Sequence, residues 1–135
     1  MIRIPRPLLN EIISQAKESA PLEACGLIAG TTGLAKMVIP MSNLDQSPQH
    51  FMMDPKEQFA AAKTIRKNGY QLLAIYHSHP SSPARPSAED VRLALTPDVA
   101  HVIISLVQPS TPEVRAFKIE DGVIEEEELE IVDEQ

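Results

Sequence analysis

A continuous apolar run followed by two histidines decides the fold of this chain: Leu72-Leu73-Ala74-Ile75-Tyr76-His77-Ser78-His79. The apolar run is short and flanked by polar residues, which is typical of a strand buried on both faces in the middle of a sheet. Side chains two residues apart in a strand lie on the same face. If the strand continues to residue 79, the imidazoles of His77 and His79 face the same point, and Ser78 faces away from it.

The residues after this strand bring a carboxylate towards the two imidazoles. Residues 79–86 contain three prolines and two serines, so we predict a loop there. A short helix is predicted to begin at Ser87 and to end near Thr96-Pro97. Ser87 and Asp90 are three residues apart at the start of this helix, so they share one of its faces. Two imidazoles and a carboxylate can thus converge at the end of a central strand.

His77, His79 and Asp90 form a candidate ligand set for a zinc ion. Two nitrogens and one oxygen leave a fourth tetrahedral position for water, which is the pattern of a catalytic zinc site rather than a structural one. Such a site lowers the pKa of its water to about 7 and polarises a carbonyl group, but it still needs a base. Glu23 is the candidate, because an acidic residue between the first predicted helix and the first predicted strand has no obvious packing purpose.

Helices and strands alternate along the rest of the chain. The apolar spacing predicts a first helix over residues 5–20, ended by Pro21, and a second that begins at the N-cap Asp54 and ends at Asn68-Gly69. Strands are predicted at residues 24–30, 34–41, 102–107 and 113–119, with hairpin turns at 31–33 and 121–122 before a last strand. We therefore expect an α/β or α+β fold, in which helices pack on a mixed sheet.

Composition and charge narrow the class of protein. A length of 135 residues suits one compact domain spanning residues 1–135. The formal net charge of −7 argues against a nucleic-acid partner and against binding to a membrane surface through a polybasic patch. Cys25 is the single cysteine, so no internal disulfide can form. No apolar run is long enough for a signal peptide or a membrane helix, and we expect a cytoplasmic, soluble protein.

Glu23, the pair His77-x-His79, Ser87 and Asp90 together resemble the JAMM motif of the MPN+ metallopeptidases. Residues 21–30 and 51–55 also resemble segments of the short bacterial and archaeal members, so the resemblance extends to about residue 120. It implies a curved mixed sheet flanked by helices, similar to the cytidine deaminases. It also implies one zinc ion per chain, bound by the two histidines and the aspartate.

The same resemblance implies roles and substrates. Glu23 would be the general base and would later pass the proton to the leaving amine, and Ser87 would hydrogen-bond the oxyanion. Family members cleave ubiquitin or ubiquitin-like proteins from lysines. Some short bacterial relatives instead remove cysteine, or another small group, from the C-terminus of a sulfur-carrier protein. This chain has no room for the insertions that build ubiquitin-binding surface in eukaryotic members, which favours a small prokaryotic-type substrate. The sequence does not determine the oligomeric state.

Several residues have a second interpretation. Ser-x-x-Asp at a helix start also fits a cap, so Ser87 is a cap, a catalytic residue or both. Cys25 can be interpreted as a thiol nucleophile with a histidine as its base. We favour the other interpretation, in which it is a small core residue. His50 and His101 have no partners at ligand spacing and are expected to be structural. The run of four glutamates at 125–128 is predicted to lie on a solvated edge strand.

Two other functions stay open at this point. The chain can be a non-catalytic MPN-type scaffold or protein-binding module that keeps only the fold, although an intact ligand set argues against this. A deaminase-like zinc enzyme is the weaker alternative, because those enzymes use a Cys-x-x-Cys ligand pair that one cysteine cannot supply.

Overall fold

The structure is a computed structural model that describes residues 1–94 and 98–133. In these ranges it contains three helices, α1 (Arg6–Ser19), α2 (Pro55–Lys67) and α3 (Ala88–Arg92). The strands are β1 (Ile2–Pro5), β2 (Cys25–Thr31), β3 (Leu34–Met41), β4 (Gln71–His79), β5 (Ala100–Ser105), β6 (Glu113–Glu120), β7 (Val123–Glu127) and β8 (Leu129–Val132). They form one sheet in the order β7-β6-β5-β4-β2-β3-β1-β8.

The sheet is mixed, as predicted. β4 runs parallel to β5, and β1 runs parallel to both β3 and β8, whereas the other neighbouring pairs are antiparallel. β4 lies in the interior of the sheet between β2 and β5, which confirms the central strand. The α+β class with helices packed on a mixed sheet is therefore confirmed.

The two faces of the sheet carry different helices. On the face that we call the α1 face, Ile12 and Ala16 of α1 pack with Ile28 and Tyr76 of the sheet. On the opposite α2 face, residues of α2 pack with alternate residues of β2 and with the ends of the loop after β3. Because side chains alternate along a strand, β4 contributes to both faces in turn. Leu8 precedes Ile12 and Ala16 at a four-residue spacing, but it is only partly buried, whereas Leu9 is buried.

The predicted start of α2 is confirmed at Asp54, whose side chain accepts a hydrogen bond from Lys56 N at 2.9 Å. Glu57 stands three residues after the cap, which is the position of the second residue of a capping box, but it does not complete one. Its carboxylate instead accepts hydrogen bonds from the Ser42 backbone N and Oγ, at 2.8 and 2.7 Å. Gly69, with a φ of 72°, ends the helix region in the left-handed conformation.

Both predicted hairpin turns are present, with positive φ at Thr32, Gly33, Asp121 and Gly122. β7 is an edge strand and carries three of the four consecutive glutamates. β5 begins and ends two residues before the predicted strand. The predicted helix end near Thr96-Pro97 lies outside the described residues, and α3 ends at Arg92.

The sequence did not predict β1 or β8. Each has four residues, and the two pair with each other from Ile2↔Leu129 to Pro5↔Val132. Strands this short carry too few alternations to be recognised, and their pairing joins residues more than 120 positions apart. Among the described residues, no helix is long and apolar enough to span a membrane.

Candidate metal centre

β4 delivers both predicted histidine ligands to the α2 face at its carboxyl end. His77 and His79 are 1% and 5% exposed, and their Nε2 atoms lie 3.2 Å apart. The ring of Phe51 stacks on His77 with a centroid distance of 4.7 Å. The His79 Nδ1 lies 2.8 Å from the Pro83 carbonyl oxygen, which orients the ring so that Nε2 points into the cluster.

The third ligand group, the carboxylate of Asp90, belongs to the capping box at the start of α3. The Ser87 Oγ accepts a hydrogen bond from Asp90 N at 3.0 Å, and the Asp90 Oδ2 accepts one from Ser87 N at 2.8 Å. This reciprocal pair is a capping box, so the cap interpretation of Ser87 is confirmed. The same Asp90 Oδ2 lies 3.2 Å from His77 Nε2 and 3.3 Å from His79 Nε2.

The three donor atoms form a nearly equilateral triangle of 3.2 to 3.3 Å. Nitrogen and oxygen ligands bind zinc at about 2.0–2.1 Å, so two ligands on a tetrahedral ion are about 3.3–3.4 Å apart. The triangle therefore has the size that three corners of such a tetrahedron require. His77, His79 and Asp90 can hold one metal ion, with a fourth corner left for another ligand.

The pKa values of the three donor residues are shifted in different directions. Burial lowers the pKa of His77. Burial also acts to raise the pKa of Asp90, but hydrogen bonds with His77 and His79 outweigh it and hold this pKa well below its usual range. For His79, burial acts to lower the pKa, but the contacts with Asp90 and Pro83 raise it overall. A cation between the donors would displace any proton shared among them.

The antiparallel pairing of β2 with β4 brings Glu23 to the same place. Ala24 N donates to Ser78 Oγ at 2.8 Å, and Ser78 N donates to Ala24 O at 3.0 Å. Since Ala24 lies opposite Ser78, Glu23 lies beside His79, on the face that carries both imidazoles. The Ser78 side chain is used in this contact and faces away from the cluster, as predicted.

Glu23 is a buried carboxyl group at the edge of the cluster. It is 3% exposed, and its Oε1 has no hydrogen-bond partner among the described residues. Burial raises the pKa of Glu23 to about 8; the positive charge of His79 opposes this rise, and Asp90 and Glu89 add to it. A carboxyl group with a pKa near the operating pH can both take up and release a proton.

Cys25 follows two residues later and pairs directly with His77 across the strands. Its side chain is fully buried, and burial raises the pKa of the thiol to about 12. Because a nucleophilic cysteine must ionise near neutral pH, this environment favours a small core residue over a thiol nucleophile.

A pocket of about 160 Å³ opens beside the cluster, and His77 and Asp90 form part of its wall. His50 and His101 also line it, which the sequence did not predict because neither stands at ligand spacing. His101 reaches it through the parallel register of β5 with β4, where it pairs with Ile75. The only signal in the sequence was its position directly before the strand predicted at residues 102–107.

Comparison with known proteins defines the class. The sequence profile of the prokaryotic homologs of the JAB domain matches residues 5–120. The chain therefore belongs to this family, and the predicted resemblance to the JAMM/MPN+ proteins is confirmed at the family level.

Two relatives are similar over most of their length. The CysO-cysteine peptidase of Mycobacterium tuberculosis is 35% identical over 129 residues, which cover 94% of this chain and 88% of the relative. The probable TtuB-protein conjugate cleaving protease of Thermus thermophilus is 38% identical over 123 residues, covering 90% and 78% of the two chains.

Two solved structures share the fold. A protein of Desulfitobacterium hafniense is 44% identical and superposes with a TM-score of 0.91, covering 99% of this chain and 94% of its own. A structure described as a JAMM metalloprotease-like zinc site in the proteasome and signalosome is 25% identical, with a TM-score of 0.64 over 98% of each chain. The expected JAMM/MPN fold is thus confirmed.

Proposed function

We propose that this chain is a zinc-dependent hydrolase that cleaves the amide bond at the C-terminus of a ubiquitin-like or sulfur-carrier protein. The observation that carries the proposal is the triangle of donor atoms from His77, His79 and Asp90 beside the buried Glu23 carboxyl. Similarity to the two conjugate-cleaving relatives supports the substrate class. Residues 1–135 act in this proposal as one domain.

His77, His79 and Asp90 hold one zinc ion in this proposal. Two imidazoles and one carboxylate are a ligand set that suits zinc. Among the described residues the cluster has three protein ligands, which is typical of catalytic rather than structural sites. When bound, the ion supplies a water of lowered pKa and polarises the substrate carbonyl.

Glu23 moves the proton. Its carboxylate takes one proton from the attacking water as the water oxygen bonds to the carbonyl carbon. The protonated Glu23 then gives this proton to the amide nitrogen as the carbon–nitrogen bond breaks. The products are an amine and a carboxylic acid, which loses its remaining proton to solvent. The raised pKa, about 8, suits both halves of this cycle.

Ser87 stabilises the tetrahedral intermediate in this proposal. Its Oγ accepts a hydrogen bond from Asp90 N, and accepting does not consume the hydroxyl proton. Ser87 is exposed at the start of α3, so the hydroxyl can donate towards a substrate oxygen while it caps the helix. Capping and catalysis therefore coexist.

The substrate in this proposal is a flexible tail that ends in glycine, with the leaving group joined to its last carboxyl. Such a tail can lie extended beside a strand and carry its terminal carbonyl to the cluster. The leaving group is a cysteine or a lysine of another protein, and the proposed chemistry is the same for both.

Glu23→Gln tests the function most directly. The glutamine keeps the shape of the side chain but cannot carry the proton, so we expect kcat to fall by about 10²–10⁴-fold while zinc stays bound. The measurement is mass spectrometry of the zinc-loaded protein with carrier proteins bearing a C-terminal cysteine or a lysine adduct, together with metal analysis.

Glu18→Gln, at an exposed position of α1, is the matched control and should leave the rate unchanged. A near wild-type rate for Glu23→Gln would reject Glu23 as the proton carrier. If the purified wild-type protein holds less than about a tenth of an equivalent of zinc and cleaves neither adduct, the non-catalytic scaffold replaces the hydrolase.

A further inference from the structure

The pocket beside the metal cluster is large enough for one small side chain. Its volume of about 160 Å³ is close to that of an apolar cavity that can hold a benzene molecule. His77 and Asp90 form part of its wall, so whatever fills it lies next to the reacting bond. Most of the remaining wall is apolar and comes from Phe51, Met52, Met53, Ile75 and Leu93.

His101 is one of the polar residues of this wall that the proposed mechanism does not use. It lines the pocket and is 7% exposed, and its Nε2 has no hydrogen-bond partner among the described residues. Burial lowers the pKa of His101, which keeps the imidazole neutral, with one N–H and one free lone pair. A buried polar atom without a partner is rare in native proteins, and a ligand that supplies the partner accounts for it.

The position of the pocket points to the leaving side of the scissile bond. This step rests on the proposed function, in which the tail before that bond ends in glycine. Glycine has no side chain to fill a pocket. The side chain that does so therefore belongs to the residue that leaves.

The lining then selects among leaving groups. The charged residues that line the pocket among the described residues are acidic, Glu89 and Asp90, and this disfavours a carboxylate side chain. The methylene stem of a lysine would fill the apolar part but would offer His101 no hydrogen-bonding atom, because its nitrogen is part of the scissile amide. A thiol is small and polarisable, packs well against methionine and aromatic side chains, and can donate or accept a weak hydrogen bond.

We propose that His101 is a specificity-determining residue, which hydrogen-bonds the thiol of a cysteine leaving group held in this pocket. The apolar wall provides the contact area, and His101 distinguishes a thiol from a methyl group of the same size. The chain therefore prefers substrates that end in a glycyl-cysteine bond over lysine conjugates.

The experiment uses the zinc-loaded full chain and a carrier protein that ends in glycine. Three substrates carry cysteine, 2-aminobutyrate or the ε-amine of lysine on that glycine, and kcat/KM is measured for each by mass spectrometry. 2-Aminobutyrate replaces the thiol with a methyl group and keeps the shape. We expect the wild type to prefer cysteine over 2-aminobutyrate by about three- to tenfold, which is the range for one neutral hydrogen bond.

His101→Leu should bring this ratio to about one without lowering the zinc content. His101→Gln keeps a hydrogen-bonding group and should retain part of the preference, which also guards against a folding defect in the leucine variant. His50→Leu is the matched control: His50 lines the same pocket, but its Nδ1 already lies 2.9 Å from Asp45 Oδ2, so the ratio should stay at the wild-type value.

A wild-type ratio near one, an unchanged ratio in His101→Leu, or a preference for the lysine conjugate would each overturn the inference while leaving the hydrolase in place. Failure of the wild type to cleave any of the three substrates would instead reject the proposed function, and this inference with it.

Discussion

The two faces of β4 show how one strand separates stability from chemistry. On the α1 face, Ala74 and Tyr76 are fully buried in an apolar cluster that α1 covers. On the α2 face, Ile75 lines the pocket, and the next two side chains on that face are His77 and His79. The alternation of a strand lets a single sequence run pack one face and hold ionisable groups on the other.

The two faces also differ in whether their buried polar atoms have hydrogen-bond partners. Three buried side-chain atoms lack hydrogen-bond partners among the described residues, namely Glu23 Oε1, His77 Nδ1 and His101 Nε2. All three side chains lie on the α2 face. On the α1 face, the Tyr76 hydroxyl donates to Gln15 Oε1, so its polar atom is paired. Unpaired polar groups destabilise a fold, and they are therefore expected where a bound group will pair them.

Asp90→Ala, at the cluster on the α2 face, should have the largest effect of these variants, and the effect is on zinc affinity. It removes one of the three proposed zinc ligands. Since loss of a residue that only hydrogen-bonds a metal ligand already costs about 10–100-fold in metal affinity, we expect a loss of more than about 100-fold. Competition with a fluorescent chelator measures this affinity. Glu89→Ala, at the neighbouring position of α3, is the control and should bind zinc with nearly wild-type affinity.

Tyr76→Ala, on the α1 face, should instead lower the stability of the fold and have little effect on zinc affinity. Truncation of a fully buried aromatic side chain lowers the free energy of unfolding by about 3–5 kcal/mol, whereas Tyr76→Phe removes only the hydroxyl contact and should cost much less. Urea unfolding of the metal-free proteins measures both. If Tyr76→Ala lowered the zinc affinity of the folded protein as strongly as Asp90→Ala, the two faces would not be independent.

The smallest expected effect concerns the pH dependence of stability in the metal-free protein. The pKa of Glu23 is raised from 4.5 to about 8 in the folded state. Between these pH values the unfolded state releases a proton that the folded state keeps, so this residue contributes stability below pH 4.5 that is lost as the pH rises towards 8. Glu23→Gln should therefore raise the thermal midpoint by a few degrees at pH 8 and hardly change it at pH 4.5. An equal shift at both pH values would contradict the burial of an ionisable carboxyl group.

Local patterns predicted the elements that flank the site. The apolar run before His77 predicted a central strand, and Asp54-Pro55 predicted the start of α2, because both signals lie within a few residues. The same patterns failed for β1 and β8, whose short strands gain their stability from each other across the length of the chain. The hydrogen bonds between Ser42 and Glu57 were not predicted either, because the two residues come from different segments.

The candidate site also contains some residues that the sequence predicted and others that only the structure reveals. The spacing of His77, His79 and Asp90 pointed to a ligand set, and the structure places their donor atoms in one triangle. His101 stands more than 20 residues from His79, and only the parallel register of β5 with β4 brings it to the pocket. No periodicity in the sequence encodes which strand lies next to another.

The sequence by itself determined which residues can bind a metal ion and which side of the central strand they share, because strand alternation and helix capping act over two to four residues. The tertiary structure decided that Glu23 is buried against His79, with a raised pKa, and that His101 lies in the pocket beside the cluster. Those facts depend on strand order and register, which arise from packing among segments far apart in the chain.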